Sequence, residues 1–192
     1  MKSSRLEAFS DGVLAIVITI MVLELKTPDG RDWAALASIA PRLWAYVLSF
    51  VFIGLYWNNH HHVFQMTERV TGAILWSNLH LLFWLSLIPV GTAWIGDTRL
   101  APVPTAVYGA ILLLSGIAYY ILETTIIRAQ GPHSRLKAAV GSDIKGIASM
   151  AMYAAAIAFA FVNTWISVAI YASVALMWLI PDPRIEKRMG RE

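Results

Sequence analysis

The chain is predicted to be an all-α integral membrane protein with six transmembrane helices per subunit and both termini cytoplasmic. Three observations lead there. Of its 192 residues, 58% are apolar and only 14% are charged, against about a quarter charged in a soluble domain. Six apolar runs approach the ~20 residues needed to cross ~30 Å of hydrocarbon. Lysine and arginine are unevenly shared between the connecting segments. With a mean hydropathy of +0.61, a soluble fold of this length has no way to hide its apolar surface, whereas lipid accepts it.

The runs follow in order. The first spans about Ala8–Leu25 and the second about Leu43–Phe64, entered through a short amphipathic piece from Trp33 to Ala40, with Pro41 as the break between them. The third spans about Ala73–Trp94 and the fourth about Pro104–Ile127. The fifth, about Ile147–Val162, has a possible earlier start near Leu136, because Lys137 and Lys145 can snorkel. The sixth is about Trp165–Ile180, after a tight turn at Asn163-Thr164. Residues 1–192 read as one six-helix membrane domain, without repeats, linkers or room for a soluble domain.

Six spans place the N-terminus, the second and fourth connections and the C-terminus on one side. That side holds Lys2, Arg5, Arg69, Arg128, Arg135, Lys137, Lys145, Arg184, Lys187, Arg188 and Arg191; the other holds Lys26, Arg31, Arg42 and Arg99. The bias puts both termini in the cytoplasm of a cell-membrane protein. It also accounts for the net charge of +3 without nucleic acid; the basic tail is a topology signal that meets anionic lipid. The start does not read as a cleavable signal, since Asp11 interrupts it and no small-residue cleavage site follows. Zero cysteines exclude disulfides and thiol chemistry.

Polar groups inside a membrane are costly and mark function. Here they gather at one depth. Arg5, Ser10 and Asp11 open the first run, Asn58 to His62 close the second, and Asn78 and His80 open the third. Asp11 is expected to be buried, with Arg5 and the imidazoles as partners. The simplest role is an interhelical network that fixes packing; ion passage, pH sensing or a proton relay in a coupled transporter is the alternative. Adjacent helical residues diverge by ~100°, so His60, His61 and His62 cannot share one ion. No metal, haem or other cofactor is expected, and no enzymatic activity. On the first helix, Gly12, Ile16, Thr19, Ile20 and Leu23 fall in a stripe ~100° wide, with Asp11 ~140° from Ile16. The helix is apolar all round, so periodicity leaves open whether that stripe meets a pore, a partner or lipid.

The order Arg5-x-x-x-Phe9-Ser10-Asp11, then Ile16, Thr19 and Leu23-Glu24, resembles the signature of the transmembrane protein 175 family of potassium channels. Tyr56-Trp57-x-x-His60-His61-x-x-Phe64 is similar to its second-helix motif, apart from the extra His62. Asn78-Leu79 to Phe83, Ser86-Leu87-Ile88-Pro89 and Thr92 are similar to its third helix. The second half agrees only in helix count. The resemblance implies a homotetramer passing potassium passively through a central pore lined by four first helices. Phe9, Ser10 and Asp11 would anchor that helix, Ile16, Ile20 and Leu23 would form the constriction, and Thr19 would contribute to selectivity. A hydrophobic ring gates by dewetting, and a Thr-Val-Gly-Tyr-Gly carbonyl filter is absent. Glu24 would then ring the outer mouth and concentrate cations, or simply be a solvated interfacial carboxylate.

Overall fold

The structure is a computed structural model that describes residues 3–67, 69–131, 134–141 and 143–179. Lys2, the end of the sixth run at Ile180 and the tail residues Arg184, Lys187, Arg188 and Arg191 lie outside them. Nine helices occur among the described residues: α1 (Ser3–Leu23), α2 (Trp33–Ser38), α3 (Ala40–Gln65), α4 (Gly72–Ser86), α5 (Ile88–Asp97), α6 (Pro102–Gln130), α7 (Arg135–Val140), α8 (Ile144–Phe159) and α9 (Thr164–Leu179).

Prolines sit where a helix loses nothing by a missing N–H. Pro41 and Pro89 occupy the first turns of α3 and α5, and Pro102 opens α6. Pro41 is therefore not the break before the second run, as expected from the sequence. The break is at Ile39, and Pro41 is already helical. Likewise the third run is two helices stacked end to end, interrupted at Leu87. The fifth does not extend back to Leu136. Leu136 lies on the separate α7, which ends at Gly141 with φ 61°, and Asp143 caps α8 by accepting from Gly146 N–H at 2.9 Å.

Four runs are long and apolar enough to cross a membrane: α1, α3, α4–α5 together and α6, at 21, 26, 26 and 29 residues. Helices α8 and α9 are apolar but have 16 described residues each, about 24 Å. Side-chain bonds fix the relative directions. Ser3, Glu7 and Asp11 of α1 meet Phe64, His61 and Trp57 of α3 in descending order, so these helices are antiparallel. Ser10 meets Asn78 and Met21 meets Thr92, so α4–α5 runs with α1. Ser49 meets Tyr108 and Met66 meets Gln130, so α6 runs with α3. Gly109 and Gly116 of α6 meet Ile157 and Met150 of α8 in reverse order, and Ser167 and Trp178 of α9 bond back to Ala156 and Ser149 of α8. The six runs thus alternate in direction along the chain.

The core lies where these helices meet and includes Phe52, Phe64, Leu81, Tyr108, Leu112 and Tyr171. Tyr171 crosses α6 at Gly109, where a Cβ would lie 2.1 Å from its hydroxyl oxygen. The hydroxyl donates to the Thr105 carbonyl at 3.0 Å. Only glycine permits that approach.

Candidate functional site

Helix α1 has one covered face and one that its own chain leaves open. Leu6, Ser10, Leu14, Val17 and Met21 are buried against α3, α4 and α5, at the three- and four-residue spacing of one helix face. Opposite them, Ile16 is 61% exposed, Ile20 44% and Leu23 76%. Gly12, Thr19 and Glu24 are exposed on the same side. The Thr19 hydroxyl donates to the Ala15 carbonyl at 2.9 Å, which satisfies it within the helix. Close to Glu24, the Arg42 guanidinium pairs with Asp97 between α3 and α5.

The covered face is anchored at its N-terminal half by a hydrogen-bond chain whose polarity can be assigned. Ser10 Oγ donates to the Leu6 carbonyl at 2.9 Å and accepts from Asn78 Nδ2 at 3.0 Å. Asn78 Oδ1 is then left to accept from His60 Nε2 at 2.8 Å, so that nitrogen carries the proton. Ser10, Asn78 and His60 are all at most 1% exposed. A second rung lies beside it. Trp57 Nε1 donates to Asp11 Oδ1 at 3.0 Å. His61 Nδ1 meets Glu7 Oε1 at 2.5 Å while its Nε2 accepts from Gln65 at 2.7 Å. Glu7 and Asp11 are four residues apart, as are Trp57 and His61, so each pair shares a helix face and the two faces zip together.

Of the expected network, Ser10, Asp11, His60, His61 and Asn78 are brought together across three helices. Arg5 and Phe9 are not. Both are exposed on the open side of α1, and Phe9 is 52% exposed. Arg5 is not the partner of Asp11: six helical positions apart, the two point ~120° away from each other. Asp11 is half-buried, not buried, and takes an indole instead. The three adjacent imidazoles go separate ways, and His62 keeps a buried, unpartnered Nδ1. His80 is exposed and accepts from Trp84 within α4, away from His60. Among the described residues no three metal-ligating groups converge.

Relatives put these contacts in context. A potassium channel of Chryseobacterium sp. (strain P1-3) is 56% identical over 189 residues, covering 98% of each chain. The profile described as "Endosomal/lysosomal potassium channel TMEM175" matches residues 5–89. The chain belongs to the TMEM175 family. A second relative, a potassium channel of Streptomyces collinus, is 33% identical over 92% of this chain and 91% of its own. The crystal structure of a lysosomal potassium-selective channel TMEM175 homolog from Chamaesiphon minutus superposes with a TM-score of 0.81 at 30% identity, covering 92% of this chain and 96% of that one. The TMEM175 profile covers the part of the chain that holds the exposed stripe, both polar rungs and the α5 start at Pro89.

Two contributions were missed in the sequence. Glu7 was overlooked although it sits one turn before Asp11. Ser49, Thr92 and Tyr108 form a buried hydroxyl cluster, with oxygens 2.6 Å apart for Thr92–Ser49 and 2.8 Å for Ser49–Tyr108, joining α3, α5 and α6 behind Met21 of α1. Nothing in their spacing signals this, because the three lie on different helices.

Proposed function

We propose that this protein is a passive, potassium-preferring cation channel of the cell membrane in which four subunits present α1 to a common axis. All six runs cross the bilayer with both termini cytoplasmic; Lys2, Arg5 and Arg69 supply part of that bias, and alternating helix directions supply the geometry. Ile16, Ile20 and Leu23 form a hydrophobic constriction that opens by widening, Thr19 contributes to selectivity, and Glu24 concentrates cations at the outer mouth.

The observation that carries this reading is the open aliphatic face of α1. One helix cannot enclose a conduit, so the stripe needs copies of itself to do so. The two bacterial relatives described above are named potassium channels, and they and the potassium-selective homolog of the same fold support the ion. The polar rungs on the opposite face hold α1 at a set rotation, which keeps the stripe aimed away from its own subunit.

A potassium flux assay in liposomes is the test. Ile16→Asn and Leu23→Ser should each raise resting flux several-fold, because a polar ring stays wet. Unchanged flux in both variants at equal reconstitution would remove the gate assignment. The competing reading is a proton-coupled transporter using Asp11 and the histidines. It requires flux that follows an imposed proton gradient and shows no single-channel events.

A further inference from the structure

On the far side of α3 from α1, the helices α3, α6, α8 and α9 enclose a cleft of about 540 Å³, its open mouth included. It lies at the same end of the bundle as the histidines, since Tyr56 and Asn59 of α3 line it one turn before His60 and His62. Its walls are rings: Tyr56 and Tyr119 meet edge to face with centroids 6.1 Å apart, and Tyr120, Tyr153 and Trp178 complete the enclosure. Gly116 lies on its wall, where a Cβ would make ordinary contact with Met150 at 3.6 Å and the Tyr56 hydroxyl at 3.9 Å, so that only a larger side chain would fill the space.

Its polar groups are all electron-rich or neutral. Tyr153 is only 3% exposed, yet its hydroxyl makes no hydrogen bond among the described residues. The hydroxyls of the half-buried Tyr56 and Tyr119 likewise make none among the described residues. All three rings line the cleft, so their hydroxyls are available to a ligand there. Asp143 also lines it, and the buried carboxyl of Glu123 lies within electrostatic reach of both Asp143 and Tyr119. Among the described residues, no lysine or arginine lines the cleft.

We propose that this cleft is a binding site for an alkylammonium group, held by the faces of Tyr56, Tyr119, Tyr153 and Trp178 with Asp143 as the counter-charge. Ring faces attract a diffuse cation whose methyl groups also fill an apolar wall. The Asp143 carboxylate makes the same cavity hostile to anions. A hydrated inorganic cation gains less, since phenols alone do not replace its water. The site is separate from the proposed ion path, so ligand there acts on the packing of α3 against α6 and α8 and not by plugging the pore. The ammonium group belongs either to a lipid headgroup or to a free amine.

The purified full-length channel in maltoside micelles tests this by calorimetric titration with tetramethylammonium and with choline, at constant ionic strength. The neutral carbon analogue of choline, 3,3-dimethyl-1-butanol, is titrated in parallel. Saturable binding of both cations is expected, with the neutral analogue about tenfold weaker or worse. Gly116→Leu, which fills the cleft, should abolish it. Tyr119→Leu should weaken it about tenfold, and so should Asp143→Asn, which keeps the α8 cap. Native mass spectrometry then assigns the source. Phosphatidylcholine or phosphatidylethanolamine retained by the parent, displaced by tetramethylammonium and absent in Gly116→Leu supports a headgroup. Choline binding to lipid-free protein supports a free amine. Equal binding of the neutral analogue, binding unaltered in Gly116→Leu, or no binding of either cation overturns the proposal.

Discussion

The two halves of this protein are held together by different means. From Ser3 to Asp97, helices are joined by directional bonds: His60–Asn78–Ser10, Trp57–Asp11, His61–Glu7 and Thr92–Ser49. From Pro102 to Leu179, separate bonds, Ser167–Ala156, Trp178–Ser149 and Tyr171–Thr105, join helices that also depend on close fit. Tyr171 lies over Gly109 and against Tyr108 with ring centroids 5.6 Å apart, and Ala118, Ala156, Ala160 and Ala175 are buried to let backbones approach. The difference teaches where the demand for accuracy lies. In lipid there is little hydrophobic drive between helices, so a helix that must keep one rotation needs bonds that exist at only one rotation. Helix α1 is such a helix. The later helices rely more on close approach, as where Tyr171 crosses Gly109, than on one connected network of bonds.

If that contrast is right, substitutions should rank by how many directional partners they orphan. Asn78→Leu should be the most damaging, destabilising the subunit by about 2–4 kcal/mol, because it leaves His60 Nε2 buried without an acceptor and removes the donor to Ser10 Oγ, which keeps only its bond to the Leu6 carbonyl. Thermal denaturation in detergent reads this; a midpoint within a degree of the parent would break the comparison at its strongest point. Gly109→Ala comes next, at about 1–3 kcal/mol, as its methyl collides with the Tyr171 hydroxyl. If it proves neutral, packing in the second half is looser than the close approach implies. Asp11→Ala removes one half-exposed bond to Trp57 and should cost about 0.5–1.5 kcal/mol. Trp57→Phe should match it, and the double variant should be no worse than either single one; additive losses would mean that the two residues act separately. Ile111→Leu, a volume-conserving change in the second half, should cost less than about 1.5 kcal/mol. A larger loss there would show that the second half also depends on exact shape.

The same contrast explains what was legible. The membrane class, the positions of the runs and the layer shared by Ser10, Asp11, the histidines and Asn78 were readable, because composition and the charge cost of a bilayer are strong local signals. The start of the second run moved by a few residues, since Pro41 opens a helix instead of marking the break, and the interruption of the third run at Leu87, just before Pro89, was not read. The pairing inside the layer was not readable. Arg5 and Asp11 are close in the chain and opposite in charge, yet helical geometry points them apart, while Trp57 reaches Asp11 from 46 residues away. The ring-walled cleft had no local signature, because its walls come from four helices.

The sequence by itself determined that this chain lives in lipid, that its first helix carries a branched aliphatic stripe, and which family it resembles. Those features follow from residue type and spacing along one helix. Only the tertiary structure decided which face of α1 is covered, that Asn78 is the bridge between His60 and Ser10, and that Asp11 answers to an indole. An α1 that is apolar on every side has no preferred rotation of its own; the bonds it makes to α3 and α4 choose one.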